Sequence, residues 1–208
     1  MTVLDFLAAH PVFTRQEFGT FLQQEGVGST RTAESHLLRY LASRRIGRVK
    51  RGVYFAAGPG ERAERTALDF LLVASRLTPD AVLAYHTALE AHGYAQSLFE
   101  RLFFLTASKA KPVAFRGRRF VPVVPSATLR RKKKAFVFCT EVERRGLPCR
   151  VTTVERTLVD VLDRPDLAGG LEEAWRSLAG IPMFDLEIVV EYVRLCSQAT
   201  LAAKVGFF

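Results

Sequence analysis

The sequence predicts an α+β protein in two parts: a small helical unit closed by a basic hairpin, then a mixed α/β region in which a sheet is flanked by helices. Three observations predict it. Apolar residues recur at three- and four-residue spacing from Leu4 to Leu41 and give way to alternation over Ile46–Phe55. The tetrapeptide Ala57-Gly58-Pro59-Gly60 then interrupts both patterns and marks a boundary between residues 1–57 and 58–208. Beyond it, short alternating stretches and helical stretches follow one another.

Each element of the first part has a local reason. Leu4, Phe6 and Leu7 give a short opening helix one apolar side. Pro11 to Phe18 opens a second helix. There Thr14 and Glu17 have the spacing of a capping box, Phe13 and Phe18 occupy the staple positions, and Phe18, Phe21 and Leu22 form the stripe. Gly26 or Gly28 supplies the left-handed residue of a tight turn, and Ser29 or Thr30 caps a third helix running to Arg44. Its core side is Ala33, Leu37, Tyr40 and Leu41. Ile46–Phe55 reads as a hairpin turning at Gly52, with Val49, Val53 and Phe55 inward. Helix, turn, helix and basic hairpin are the succession of a winged helix-turn-helix, expected over residues 1–57.

In such a unit the outer stripe of the third helix meets base edges. Here that stripe is Arg31, Thr32, Ser35, His36 and Arg39. Thr30, Arg44, Arg45, Arg48, Lys50 and Arg51 are placed to grip phosphates, which gives register and affinity without sequence choice.

In the second part, Glu61–Leu77 reads as a helix with Ala67, Phe70, Leu71 and Ala74 on one face, ended by Thr78-Pro79-Asp80. Ala81–Tyr94 holds a strand end or short helix. Strands are expected at 101–106, 113–115, 118–124, 135–138 and 150–152, and helices at 153–163, 168–178, 186–196 and 199–205. Thr152 and Glu155 have capping-box spacing, and Arg156 and Asp160 that of an i,i+4 ion pair, so this cluster reads as structural. Gly169-Gly170 reads as a tight start to the helix that follows.

The net charge of +9 is concentrated in two blocks. Residues 1–57 hold eight basic against four acidic side chains, and residues 101–134 hold eleven against none. The second block comprises Arg101, Lys109, Lys111, Arg116, Arg118, Arg119 and the run Arg130, Arg131, Lys132, Lys133 and Lys134. Concentrated positive charge of this kind suits a polyanion, either further DNA backbone or RNA. Phe103, Phe104, Phe115 and Phe120 lie among these charges, and alternation assigns most of them to the core rather than to base stacking. Cys139, Cys149 and Cys196 are widely spaced and form no Cys-x-x-Cys pair, which predicts reduced thiols in the cytoplasm. His86 and His92 fall on different helix faces, so no metal is expected, and no cofactor. No secretory signal is visible, and apolar runs such as Leu68–Ala74 are far too short to span a membrane.

Three segments follow the predicted hairpin unit in order: Ala84-Tyr85-His86-Thr87-Ala88-Leu89-Glu90-Ala91-His92-Gly93, Val151-Thr152-Thr153-Val154-Glu155-Arg156-Thr157-Leu158-Val159-Asp160 and Pro165-Asp166-Leu167-Ala168-Gly169-Gly170. Their ordered combination resembles the AbiEi family of antitoxins over nearly the whole chain. The resemblance implies a transcriptional autorepressor that binds inverted repeats of double-stranded DNA in its own promoter. It also implies a nucleotidyltransferase-like toxin as functional partner, opposed without a stable complex, as in a type IV toxin-antitoxin pair. Members usually continue beyond the point where this chain ends, Lys204-Val205-Gly206-Phe207-Phe208, which implies a shortened protein. Two other readings stand beside this one: a nuclease delivered to DNA by the first part, and an adaptor for RNA or protein. Against the nuclease, the sequence has no Glu-x-Lys; Glu143-x-Arg145 comes nearest, and arginine is a poor proton acceptor.

Overall fold

The computed structural model describes residues 2–26 and 30–208, apart from the side chains of Thr30 and Arg31. The chain forms two compact units: Met1–Leu77 with Arg144–Leu147, and Thr78–Glu143 with Pro148–Phe208. The class is α+β, with a three-stranded and a six-stranded sheet.

The first unit starts with helix α1 (Val3–Ala9), closed at its N-terminus by reciprocal bonds between Thr2 and Asp5. Helix α2 (Arg15–Gln24) has the expected box: Glu17 N–H donates to Thr14 Oγ1, and Thr14 N–H donates to the Glu17 carboxylate at 2.6 Å. Phe13 and Phe18 are buried with ring centroids 5.8 Å apart, so the staple holds the chain at this helix start. Helix α3 (Thr30–Ala42) buries Ala33 and Leu37 and packs Tyr40 and Leu41 against the same core. The expected turn at Gly28 and cap at Ser29 lie outside the described residues, as do the side chains of Thr30 and Arg31. The helix ends before Arg44, which takes a positive φ of 56°.

Strands β2 (Ile46–Lys50) and β3 (Val53–Ala56) form the hairpin, with Gly52 at φ 86° in its turn. Two details differ from the sequence reading. Val12–Thr14 is a strand, β1, paired antiparallel to β3, because the cap leaves the residues before α2 extended. And the sheet face that meets the helices carries Ile46, Tyr54 and Ala56, not Val49, Val53 and Phe55. Those three are also buried, Val53 and Phe55 because both faces of β3 are covered. A register shift between Arg48 and Lys50 breaks the simple alternation at Val49.

Residues 61–77 are not one helix. They form a 3-10 turn (Ala63–Arg65), an extended stretch, and helix α4 (Phe70–Ser75). Asp69 is the cause: its carboxylate accepts from Leu71 and Leu72 N–H, which starts a helix there and excludes one running through it. Ala67, expected on the buried face, is exposed. This segment belongs with the first unit, so the division falls after Leu77 rather than after residue 57. The Ala57 and Ala63 N–H groups donate to the Arg45 and Arg44 carbonyls, and Arg76 pairs with Glu17 at 3.1 Å.

The second unit is built on a sheet of order β6-β7-β5-β4-β9-β8. Its strands are β4 (Val82–Leu83), β5 (Arg101–Leu105), β6 (Val113–Phe115), β7 (Arg118–Val123), β8 (Cys139–Arg144) and β9 (Leu147–Thr152). The sheet is mixed: β5 runs parallel to β7 and β4 parallel to β9, whereas β4–β5 and β6–β7 are antiparallel. The helices are α5 (His86–His92), α6 (Ala127–Arg131), α7 (Val154–Asp163), α8 (Leu171–Ala179), α9 (Leu186–Cys196) and α10 (Ala199–Phe207). The expected strand at 135–138 is instead a turn, and pairing begins at Cys139. Helix α7 is capped by Thr153, whose side chain accepts from Arg156 N–H. Thr152 instead bonds the Thr157 hydroxyl at 2.7 Å, so the box read between Thr152 and Glu155 does not form. The Arg156–Asp160 pair does form, at 3.2 Å. Among the described residues no helix is long and apolar enough to cross a membrane.

Asp80 anchors the turn after β5. It accepts from Thr106 Oγ1, Ser108 Oγ and the N–H groups of Ala107 and Ser108. Burial pushes its carboxyl up, but these donors outweigh burial and hold it at about 2. A carboxyl depressed in the folded state stabilises above its unfolded value, near 3.8, and loses that contribution as pH falls toward 2. Wild type should therefore lose about 1–2 kcal/mol more than Asp80→Asn between pH 5 and pH 2, after allowance for solvent screening. Equal acid sensitivity of the two proteins in urea titrations would refute this.

Candidate nucleic-acid interface

On α3, Thr32, Ser35, His36 and Arg39 recur at three- and four-residue spacing and so share one face. Ser35 and Arg39 are exposed and Thr32 and His36 half-buried, while Ala33 and Leu37 hold the helix to the core. Arg39 is positioned by its neighbours. Its guanidinium lies 3.0 Å from His36 Nδ1 and 5.4 Å from the centre of the Tyr40 ring. Glu34, which would repel a polyanion, is paired with Arg15 at 2.7 Å.

The basic residues after α3 do not form a uniform set. Arg45, Arg48 and Arg51 are exposed and make no ion pair among the described residues. Arg44 is exposed but paired with Glu64 at 3.4 Å, which offsets part of its charge. Lys50 is a correction: its ammonium donates to the Leu77 carbonyl at 2.6 Å, and burial lowers its pKa. It is a tether within the first unit rather than a phosphate contact. No periodicity in the sequence could have revealed this, because the acceptor is a backbone oxygen far along the chain.

The second basic block is likewise divided. Lys109 and Lys111 are exposed on the loop after β5, and Arg116 lies 5.5 Å from the Phe115 ring at the β6–β7 turn. Arg118 donates to the Phe99 carbonyl at 2.7 Å, and Arg119 is exposed on β7. Arg130 and Arg131 end α6, with Arg130 Nε donating to the Pro125 carbonyl. Lys132 is held by Leu195 O and Ser197 Oγ, both at 2.8 Å, whereas Lys133 and Lys134 are exposed. Phe103, Phe104 and Phe120 are buried and cannot stack on bases.

His86 is buried, packed against the Phe99 ring with centroids 4.1 Å apart and the planes tilted by 40°, and lies 3.7 Å from Glu173; burial lowers its pKa. His92 meets the Thr152 carbonyl at 2.8 Å. The two histidines have separate partners. None of the three cysteines is in a disulfide. A cavity that the sequence did not reveal, about 810 Å³ in volume, lies in the second unit and includes Phe99, Arg101, Arg119 and Asp166 in its lining.

No known protein family matches the chain, and no curated protein matches it. Among solved structures it is similar to the Rv2827c protein from Mycobacterium tuberculosis, with 21% identity and a TM-score of 0.44 over 86% of this chain and 71% of that chain.

Proposed function

We propose that α2, α3 and the β2–β3 hairpin act as a winged helix-turn-helix, with α3 laid in the major groove and the hairpin beside it on the backbone. On this reading the chain is a cytoplasmic, non-enzymatic DNA-binding repressor of the AbiEi antitoxin type. It acts on an inverted repeat upstream of its own gene, with a nucleotidyltransferase-like toxin as functional rather than stably bound partner. The observation that carries the reading is the polar face of α3, where Arg39 is steadied by His36 and Tyr40 and the nearby acid, Glu34, is paired with Arg15. The exposed Arg48 and Arg51 add charge without base selectivity.

Fluorescence anisotropy on the upstream duplex and on a scrambled duplex tests it. Affinity should fall linearly with salt on logarithmic axes. Arg39→Ala should reduce discrimination between the two duplexes by about 1–3 kcal/mol. Arg48→Gln and Arg51→Gln should weaken both duplexes alike, each lowering the salt slope by about 1. Lys50→Met should leave affinity unchanged and lower thermal stability. Equal losses on both duplexes for Arg39→Ala, or no binding by the wild-type protein, would overturn the proposal.

A further inference from the structure

The 810 Å³ cavity has the size of a small-molecule site and is not used by the DNA-binding reading, on which it does not depend. Part of its lining is one row of the six-stranded sheet. Arg101 on β5 and Arg119 on β7 are register partners, and Ala114 on β6 is the next residue in the row. Like charges paired across neighbouring strands repel. Neither guanidinium has an ion pair among the described residues, and both border the cavity. Asp166, also in the lining, is paired with Arg164 at 3.2 Å. Arg118 is engaged with the Phe99 carbonyl.

Phe99 is a further part of the lining. Its ring packs against His86 at an interplanar angle of 40° and lies where a Cβ on Gly169 would have to be, so the glycine at φ 85° makes room for the ring. A half-buried aromatic held in this way offers a flat apolar surface to whatever occupies the cavity. Glu100, one position before Arg101, is an exposed acidic residue in the same lining.

We propose that this cavity binds a nucleoside monophosphate. The Arg101–Arg119 pair would take the phosphate, Glu100 the sugar hydroxyls, and Phe99 the base. Two planar guanidiniums side by side match the near-dianionic charge and fork geometry of a phosphate monoester better than that of a single carboxylate. Placing that dianion between them relieves the repulsion within the row.

Isothermal titration of the full chain tests this, using the four common nucleoside 5′-monophosphates, the matching nucleosides, inorganic phosphate and benzoate. At least one monophosphate should bind at micromolar to low-millimolar concentration. Its nucleoside should bind at least tenfold more weakly, as should inorganic phosphate and benzoate. Arg101→Gln and Arg119→Gln should each weaken the monophosphate at least tenfold, and Phe99→Leu should weaken it while leaving inorganic phosphate unchanged. Arg131→Gln, elsewhere in the basic block, should have no effect. Absence of binding by all four monophosphates would overturn the proposal. So would equal binding of inorganic phosphate, or an equal loss in Arg131→Gln, which would mark adventitious attraction to a basic surface. Failure here would leave DNA binding untouched, since the anisotropy variants lie in the other unit.

Discussion

Replacing Arg156 with methionine is expected to destabilise the protein by about 3–5 kcal/mol, the largest effect of any single substitution considered. Arg156 is 1% exposed. Its Nε donates to Asp160 at 3.2 Å, an NH1 hydrogen is given to the Val137 carbonyl at 2.6 Å, and the guanidinium lies 5.2 Å from the centre of the Tyr192 ring. Burial alone would depress its pKa, but Asp160 more than compensates and holds the group charged. Tyr192 completes the set by donating to the other Asp160 oxygen at 2.7 Å. Removing only the cation leaves the Asp160 carboxylate, its side chain 12% exposed, without its counter-ion. Removing the whole set together, as Arg156→Met with Asp160→Leu and Tyr192→Phe, avoids that penalty and should recover most of the loss. Urea denaturation of the single and triple variants decides it: a triple variant as unstable as the single one would show that packing, not charge, sets the cost.

Gly47→Ala should lower stability by about 1–3 kcal/mol, although alanine usually improves on glycine within a strand. Gly47 is the register partner of Phe55 across the β2–β3 hairpin. The Phe55 ring lies across Gly47, occupying the space a Cβ would need. Phe55 is 3% exposed, so the ring has little room to retreat. The sign of the change therefore separates a steric role from a purely conformational one. In a Phe55→Leu background the same substitution should become nearly neutral or stabilising, because the obstacle is gone. A gain in thermal stability for Gly47→Ala alone would contradict this account.

The start of α2 was legible because Thr14 and Glu17 cap their own backbone. Helices α9 and α10 begin at the positions their periodicity indicates, Leu186 and Ala199. Two of the failures lie in competing side-chain bonds. Asp69 satisfies two N–H groups and interrupts a stretch whose apolar spacing reads as continuous helix. Thr152 and Thr153 both look like caps, and tertiary bonding to Thr157 takes Thr152 out of the competition. Strand β1 escaped because three residues carry too little alternation to register. In the candidate DNA interface, the α3 stripe and the exposed arginines follow from spacing, but the diversion of Lys50 to Leu77 needs the tertiary fold. The Arg101–Arg119 row is equally invisible in sequence, because parallel pairing of β5 with β7 fixes it.

The hairpin tip Arg144–Leu147 is counted with the first unit, where Arg144 Nε donates to the Asp69 carboxylate at 2.8 Å. The turn there is tight, with Arg145 and Gly146 both at positive φ. A fragment ending at Leu77 would thus be missing a piece supplied from the latter half of the polypeptide, and the carboxylate that starts α4 would lose its counter-ion. Cutting the gene between the two units is therefore not equivalent to separating two self-sufficient modules.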